Sequence, residues 1–311
     1  HPFAHALAAR CWHRLGNLEQ ARHHLNQAIR TFEAGARQAG VAVSGHAWRE
    51  YTAAILLAAG TLGDDRAAWD LYRRWSNQHV LGHSHYLGGI AAFNLGKFEG
   101  AARAWRRAGE VEPEWRFVKA FVAVAELCDQ GLVPPFRLAY QMPDLRFAKR
   151  LLHKATEQNI DQLLARLAQD PMIRVLWIAD AFLSEDGDPD QRLVMQTLVA
   201  GTGEWGHQLA RSVLLSARTS KALKLHAVEG LRQAGLLEEG QTFRMNVDGR
   251  VQEVTYRRVA AIVSGDPERD ARHRQALALR NQGRLEEARA ILESLVNSDE
   301  GIYLPACVSY A

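Results

Sequence analysis

The sequence predicts an all-α chain, a right-handed α-solenoid of antiparallel helix pairs, with one small β-hairpin near residues 242–257. Three observations predict it. A phrase of Gly, then Leu or Phe two residues on, then Ala three further on recurs as Gly16-Asn17-Leu18-Glu19-Gln20-Ala21, Gly96-Lys97-Phe98-Glu99-Gly100-Ala101 and Gly283-Arg284-Leu285-Glu286-Glu287-Ala288, with a weaker copy at Gly63 and Ala68. Apolar residues flank the phrase at helical spacing. Asp248-Gly249 sits between two alternating runs, the signature of a two-residue hairpin turn. Recurrence at roughly 20–50 residues marks stacked units that bury their faces on one another, and such arrays bind other proteins.

The elements follow in order. His5 to Ile29 reads as two helices broken at Gly16, with Ala8, Ala9 and Trp12 on one face of the first and Ala21, Leu25 and Ala28 on one face of the second. Small residues at the crossing let the backbones approach, and the glycine supplies a turn of positive φ. The next copy spans about Trp48 to Trp75 and turns at Gly63. Another runs from Gly82 to Pro113 and turns at Gly96, and a further first helix, Trp115 to Gln130, leads to Gly131. Gly63 to Gly96 is 33 residues and Gly96 to Gly131 is 35, whereas Gly16 to Gly63 is 47, so an insertion of about 13 residues lengthens the first connection.

These residues resemble the tetratricopeptide repeat family. Gly89, Ala92, Gly96, Phe98, Ala101, Trp105, Ala108 and Pro113 carry its pattern of small, small, turn, aromatic, small, aromatic, small and terminal Pro. The Gly16 and Gly283 copies match at the turn and second helix without the terminal Pro. The Gly63 copy has Asp65 where an apolar residue is expected. The resemblance covers about 1–131 and 268–300.

Pro134-Pro135 stops the pattern, because consecutive prolines cannot continue a helix. Six helices are expected beyond it, at 144–156, 159–169, 172–184, 189–200, 204–217 and 220–234, broken at Asp170-Pro171, Gly187-Asp188-Pro189, Gly201 to Gly203 and Thr219-Ser220. Their lengths are similar to HEAT-like pairs. Thr242 to Val247 and Arg250 to Arg257 form the hairpin, whose Phe243, Met245 and Val254 are expected to pack on a helix, since a lone hairpin is marginal in water. Ser264 to Pro267 opens a last repeat and Leu304 to Ala311 caps it. The chain thus divides into repeats over 1–133, a helical segment over 134–241, the hairpin over 242–258 and a C-terminal repeat with its cap over 259–311.

Composition narrows the function. The 311 residues are 47% hydrophobic and 23% charged, an ordinary soluble balance, and 38 Lys and Arg against 35 Asp and Glu leave a net charge of +3. Cys11, Cys128 and Cys307 are odd in number and far apart, which favours free thiols and a reducing cytoplasm over a disulfide framework. No apolar run reaches the roughly 18 residues of a membrane span. The chain begins at His1, and what precedes it is open.

Several fragments imitate functional motifs and fail on chemistry. Gly82-His83-Ser84-His85-Tyr86 lacks the glycine that a nucleophile elbow needs two residues after its Ser. Gly201-Thr202-Gly203-Glu204-Trp205-Gly206 spells a dinucleotide fingerprint but follows a helix instead of a strand. Asp186, Asp188 and Asp190 alternate as in a calcium loop, yet Gln191 and Thr197 stand where Gly and Glu are required, so Asp188-Pro189 reads as a helix start. His79, His83 and His85 could approach one another, but His83 and His85 diverge on a helix. Cys11 and His13, two apart on a helix, make no catalytic pair. No catalytic, cofactor or metal residue is therefore expected.

The resemblance implies a concave groove lined by the first helix of each repeat. Position by position it assigns Phe3, Arg10, His13 and Arg14 from the first repeat, Ala53 and Leu57 from the second, His83, Tyr86, Ile90, Phe93 and Asn94 from the third, and Val118 and Phe121 from the fourth. Aromatic anchors with a basic rim suit a peptide carrying hydrophobic residues and an acid. The Lys/Asn clamp that chaperone-binding members use is not reproduced, with Ala6 and Arg10 at its first-repeat positions. Three occupants of the groove stay open: a protein or peptide partner, the chain's own residues such as 132–143, or a second subunit of a homodimer. The expectation is a non-catalytic, cytoplasmic protein-binding scaffold without membrane association. The alternative is nucleic-acid binding through Arg146, Lys149, Arg150 and Lys154, or Arg211, Arg218, Lys221 and Lys224, on the middle helices.

Overall fold

The computed structural model describes residues 1–39, 46–76, 79, 81–156, 158–185, 188–256 and 267–296. The chain forms two compact units, His1–Val254 and Thr255–Ala311. The expected opening at 264–266, the cap at Leu304–Ala311, Asp186 and Cys307 lie outside the described residues.

The first unit begins with three antiparallel helix pairs and a seventh helix: α1 (Pro2–Arg14) with α2 (Leu18–Ala39), α3 (His46–Thr61) with α4 (Asp65–Arg74), α5 (Gly82–Asn94) with α6 (Phe98–Val111), and α7 (Val118–Asp129). The turns fall where the recurring phrase puts them. Gly16, Gly63, Gly96 and Gly131 have φ of +78°, +79°, +70° and +70°, a region that a side chain resists. The long first interval is taken up in part by α2, which runs 22 residues. Where the phrase needs small residues the helices touch: Ala92, Ala101 and Ala108 are fully buried, and Trp105 lies over Gly89 and donates from its indole N–H to the Tyr86 carbonyl at 3.1 Å.

Six further helices follow: α8 (Leu145–Leu152), α9 (Ile160–Gln169), α10 (Pro171–Leu183), α11 (Pro189–Gly201), α12 (Glu204–Leu215) and α13 (Lys221–Gln233). Four of their starts carry a side-chain cap, three of them at the expected breaks. Asp144, Asp170, Asp188 and Ser220 each accept a backbone N–H of the first turn. One hydrophobic core runs through both sets of helices.

Strands β1 (Thr242–Val247) and β2 (Arg250–Thr255) pair as the hairpin. Asp248 and Gly249 both have positive φ, +50° and +84°, as a two-residue turn of the primed type requires. β1 packs against α12, with Phe243, Met245 and Val254 half-buried.

In the second unit α14 (Pro267–Asn281) and α15 (Leu285–Val296) turn at Gly283, φ +76°, and close on Ala276, Leu292 and Leu295. The architecture is all-α with one small hairpin.

Candidate functional site

The first helices α1, α3, α5 and α7 present the face on which the groove residues were expected. Along α5 every residue from Gly82 to Phe93 except His83 is buried. Tyr86, Ile90, Phe93 and Phe121 are exposed by only 1%, 0%, 2% and 0%. Arg10, His13, Leu57 and Asn94 are half-buried, while Arg14 and His83 are exposed.

What covers the middle of this face is the chain itself. After α7, residues 132–142 cross it as a strap, with neither helix nor strand at 134–139. A strap of this kind must satisfy its backbone groups somewhere, and here side chains of the array do so. Asn94 binds both sides of one residue, accepting from the Leu138 N–H at 2.8 Å and donating to its carbonyl at 3.0 Å. The Tyr86 hydroxyl donates to the Gln141 carbonyl at 3.0 Å, and the Trp205 indole to the Pro134 carbonyl at 3.0 Å. Burial pushes the Tyr86 phenol well above its ordinary range, which keeps it a donor.

The strap's side chains fill the groove. Phe136 lies 5.4 Å from the Phe93 ring and 5.4 Å from Trp205, with the Arg174 guanidinium over both Phe136 and Trp205. Leu138 is 2% exposed. Tyr140 lies on Gly60, where a Cβ would come within 2.2 Å of its ring carbons.

Asp65 anchors this arrangement. Its carboxylate accepts from Arg137 Nη2 at 2.7 Å, the Tyr140 hydroxyl at 2.9 Å and Asn94 Nδ2 at 3.0 Å. Burial and the Asp65 charge push the Tyr140 phenol far up, so it too stays protonated. Asp65, Arg137, Tyr140 and Gly60 are the residues that the repeat pattern missed. The signal for one of them was present, since Asp65 breaks that pattern with a charge at a position the stack buries.

Among the described residues nothing covers the N-terminal part of the face. A cleft of about 330 Å³ lies between α1, α3 and α5, lined by Phe3, Leu7, Arg10, Leu57, His83 and Leu87 among others. Three of the expected groove residues, Arg10, Leu57 and His83, therefore meet there, while His13 and Arg14 are not part of its wall. Arg10 Nε is buried without a hydrogen-bond acceptor. His83 packs edge-on against Trp115, ring centroids 4.6 Å apart, and Glu50 stands at the rim. A wider cleft of about 670 Å³ between the second helices α4 and α6 mixes Arg73, Lys97, Arg103 and Arg107 with Glu99 and Asp129.

The histidines separate. His79 donates from Nε2 to the Tyr72 carbonyl at 2.7 Å, and the Tyr72 hydroxyl shares a 2.9 Å hydrogen bond with His85 Nδ1, so Tyr72 ties these two together while His83 faces Trp115. Burial lowers both buried imidazoles, His79 to about 4. Among the described residues no group of three or more His, Cys, Asp or Glu is placed to hold a metal. Gly203 is a helix N-cap between α11 and α12, with no strand before it. Among the basic residues of the middle helices, Lys224 is buried and donates to the Asn246 carbonyl at 2.8 Å, and Arg218 donates to Gln130 Oε1 at 3.3 Å. Among the described residues no helix is long and apolar enough to cross a membrane.

Residues 270–299 match the family model of the tetratricopeptide repeat, which covers the α14–α15 pair. No curated protein and no solved structure matches the chain.

Proposed function

We propose that this tetratricopeptide-repeat chain is a non-catalytic scaffold that docks a protein or peptide segment in the cleft between α1, α3 and α5. The observation that carries the reading is an apolar hollow that none of the described residues covers, on a face otherwise filled by the strap. Leu7 is 41% exposed there, and Phe3, Leu57 and Leu87 line the same wall. A segment laying two or three apolar side chains into it gains contact area with pre-formed helices. The unpaired Arg10 Nε asks for an acceptor oxygen on that segment, and His83 and Glu50 give the rim both a ring donor and a carboxylate. The free thiols Cys11 and Cys128 suit a reducing compartment, so we read the scaffold as cytoplasmic.

Peptides selected by display on the wild-type chain test this reading. Leu57→Glu is expected to weaken their binding by about ten-fold or more in a chain that keeps its helical circular dichroism, since it puts a charge into an apolar contact. Selected peptides that bind Leu57→Glu and Arg10→Ala as well as they bind the wild type would remove the cleft from the function.

A further inference from the structure

The strap is held as a ligand is held. Linkers between helices ordinarily run over the surface and satisfy their backbone in water. Here Asn94 reads the N–H and carbonyl of Leu138, Tyr86 reads the Gln141 carbonyl, and a buried carboxylate reads an arginine and a tyrosine three residues apart. Gly60 stands in the last turn of α3, and its missing Cβ leaves the space that the Tyr140 ring takes. Each of these features specifies chemistry: extended backbone at one residue, a cation and a phenol hydroxyl for Asp65, a flat ring over Gly60, and an aromatic against Phe93. None of them requires that the segment be joined to α7.

We propose that the groove of α3, α5 and α7 is a peptide-reading surface shut in cis by residues 132–142, and that it takes in trans an extended segment of the same chemistry, aromatic, arginine, leucine and tyrosine spaced as in Phe136-Arg137-Leu138-Ala139-Tyr140. The strap competes from a high effective concentration, so the groove of the resting chain is closed to an incoming segment. The apparent affinity for that segment is its intrinsic affinity multiplied by the fraction of chains whose strap is out. A partner must therefore match the strap residue for residue, which gives the surface its selectivity. This proposal concerns a different surface from the cleft of α1, α3 and α5 and stands or falls without it.

The test uses the full chain and a fluorescein-labelled peptide of residues 132–143. One variant carries Phe136→Ser, Arg137→Ser, Leu138→Gly and Tyr140→Ser, which empties the groove while keeping the strap's length. By anisotropy it is expected to bind the peptide at least about 100-fold more tightly than the wild type, as release of the cis competitor requires. Adding Asp65→Ala or Asn94→Ala is expected to reduce that binding by about ten-fold or more, and a peptide with Ala in place of its arginine and tyrosine is expected to lose it similarly. A folded four-substitution variant that binds no better than the wild type would overturn the proposal, and so would binding that ignores Asp65. If that variant does not keep its helical circular dichroism, Arg137→Ala/Tyr140→Phe decides instead. A gain of about ten-fold supports the proposal and no gain overturns it.

Discussion

The Tyr140 hydroxyl donates to the Asp65 carboxylate at 2.9 Å across 75 residues of chain. It shares that carboxylate with Arg137 and Asn94, and Asp65 is only 7% exposed. A buried carboxylate that loses a donor keeps its desolvation cost, so Tyr140→Phe is expected to destabilise the first unit by about 1–2 kcal/mol. Arg137 is 63% exposed, and solvent screening holds Arg137→Ala to about 1 kcal/mol or less. Asp65→Ala strands the strap's donors and costs about 2–4 kcal/mol. Denaturant midpoints of the single and double variants give the coupling between Asp65 and Tyr140, expected near 1 kcal/mol.

Gly60 offers a test in which the sign itself is informative. Alanine is the better helix former by up to about 1 kcal/mol, yet its Cβ would come within 2.2 Å of the Tyr140 ring carbons, and overpacking costs about 1–3 kcal/mol. Gly60→Ala is therefore expected to destabilise the wild type. In a Tyr140→Ala background the overlap is gone, and the same substitution is expected to stabilise by up to about 1 kcal/mol.

The buried histidines make stability depend on pH. His79 is held down to about 4 by burial, against 6.5 in an unfolded chain, and burial lowers His85 as well. The unfolded state binds the proton first, so the neutral, native arrangement is fully favoured above about pH 6.5 and loses ground as pH falls toward 4. For His79 the loss approaches about 3 kcal/mol, at about 1.4 kcal/mol per pH unit. Unfolding midpoints measured between pH 7.5 and 4 are expected to fall across that window, less steeply in His79→Phe. A flat profile in the wild type would show that the two rings titrate freely.

The thiols are expected to separate by reactivity. Cys128 is buried on α7, where burial pushes its thiol up to about 12, while Cys11 is exposed on α1. A maleimide at neutral pH is expected to modify Cys11 of the native chain and to reach Cys128 only on unfolding, read by mass spectrometry of peptides.

The helices were legible because their determinants are local. The glycine turns at 16, 63, 96, 131 and 283, the small residues at the crossings and the Asp and Ser caps of the middle helices all lie within a few residues of what they control. The hairpin was legible for the same reason, through Asp248-Gly249. The groove was legible as a surface, with residues 132–143 as one of three occupants that the sequence left open. Tyr86, Ile90 and Phe93 have the helical spacing of groove residues whether a partner or the chain itself covers them. Contacts between residues distant in sequence decide between the two, among them Asp65 with Arg137 and Tyr140 and Asn94 with Leu138. Asp65 showed in the sequence as a break in the repeat pattern, and its partners did not, because nothing local marks an arginine and a tyrosine in a linker as ligands of one carboxylate.

The central claim is that residues 132–142 occupy the groove, and the Leu138 amide tests it most directly. That amide lies in neither helix nor strand and donates to Asn94 Oδ1 at 2.8 Å. Residue-resolved hydrogen exchange is expected to find it at least about 100-fold slower than an unstructured amide in the wild type, and exposed in Asn94→Ala. A Leu138 amide that exchanges at the unstructured rate in the folded wild-type chain would contradict the account.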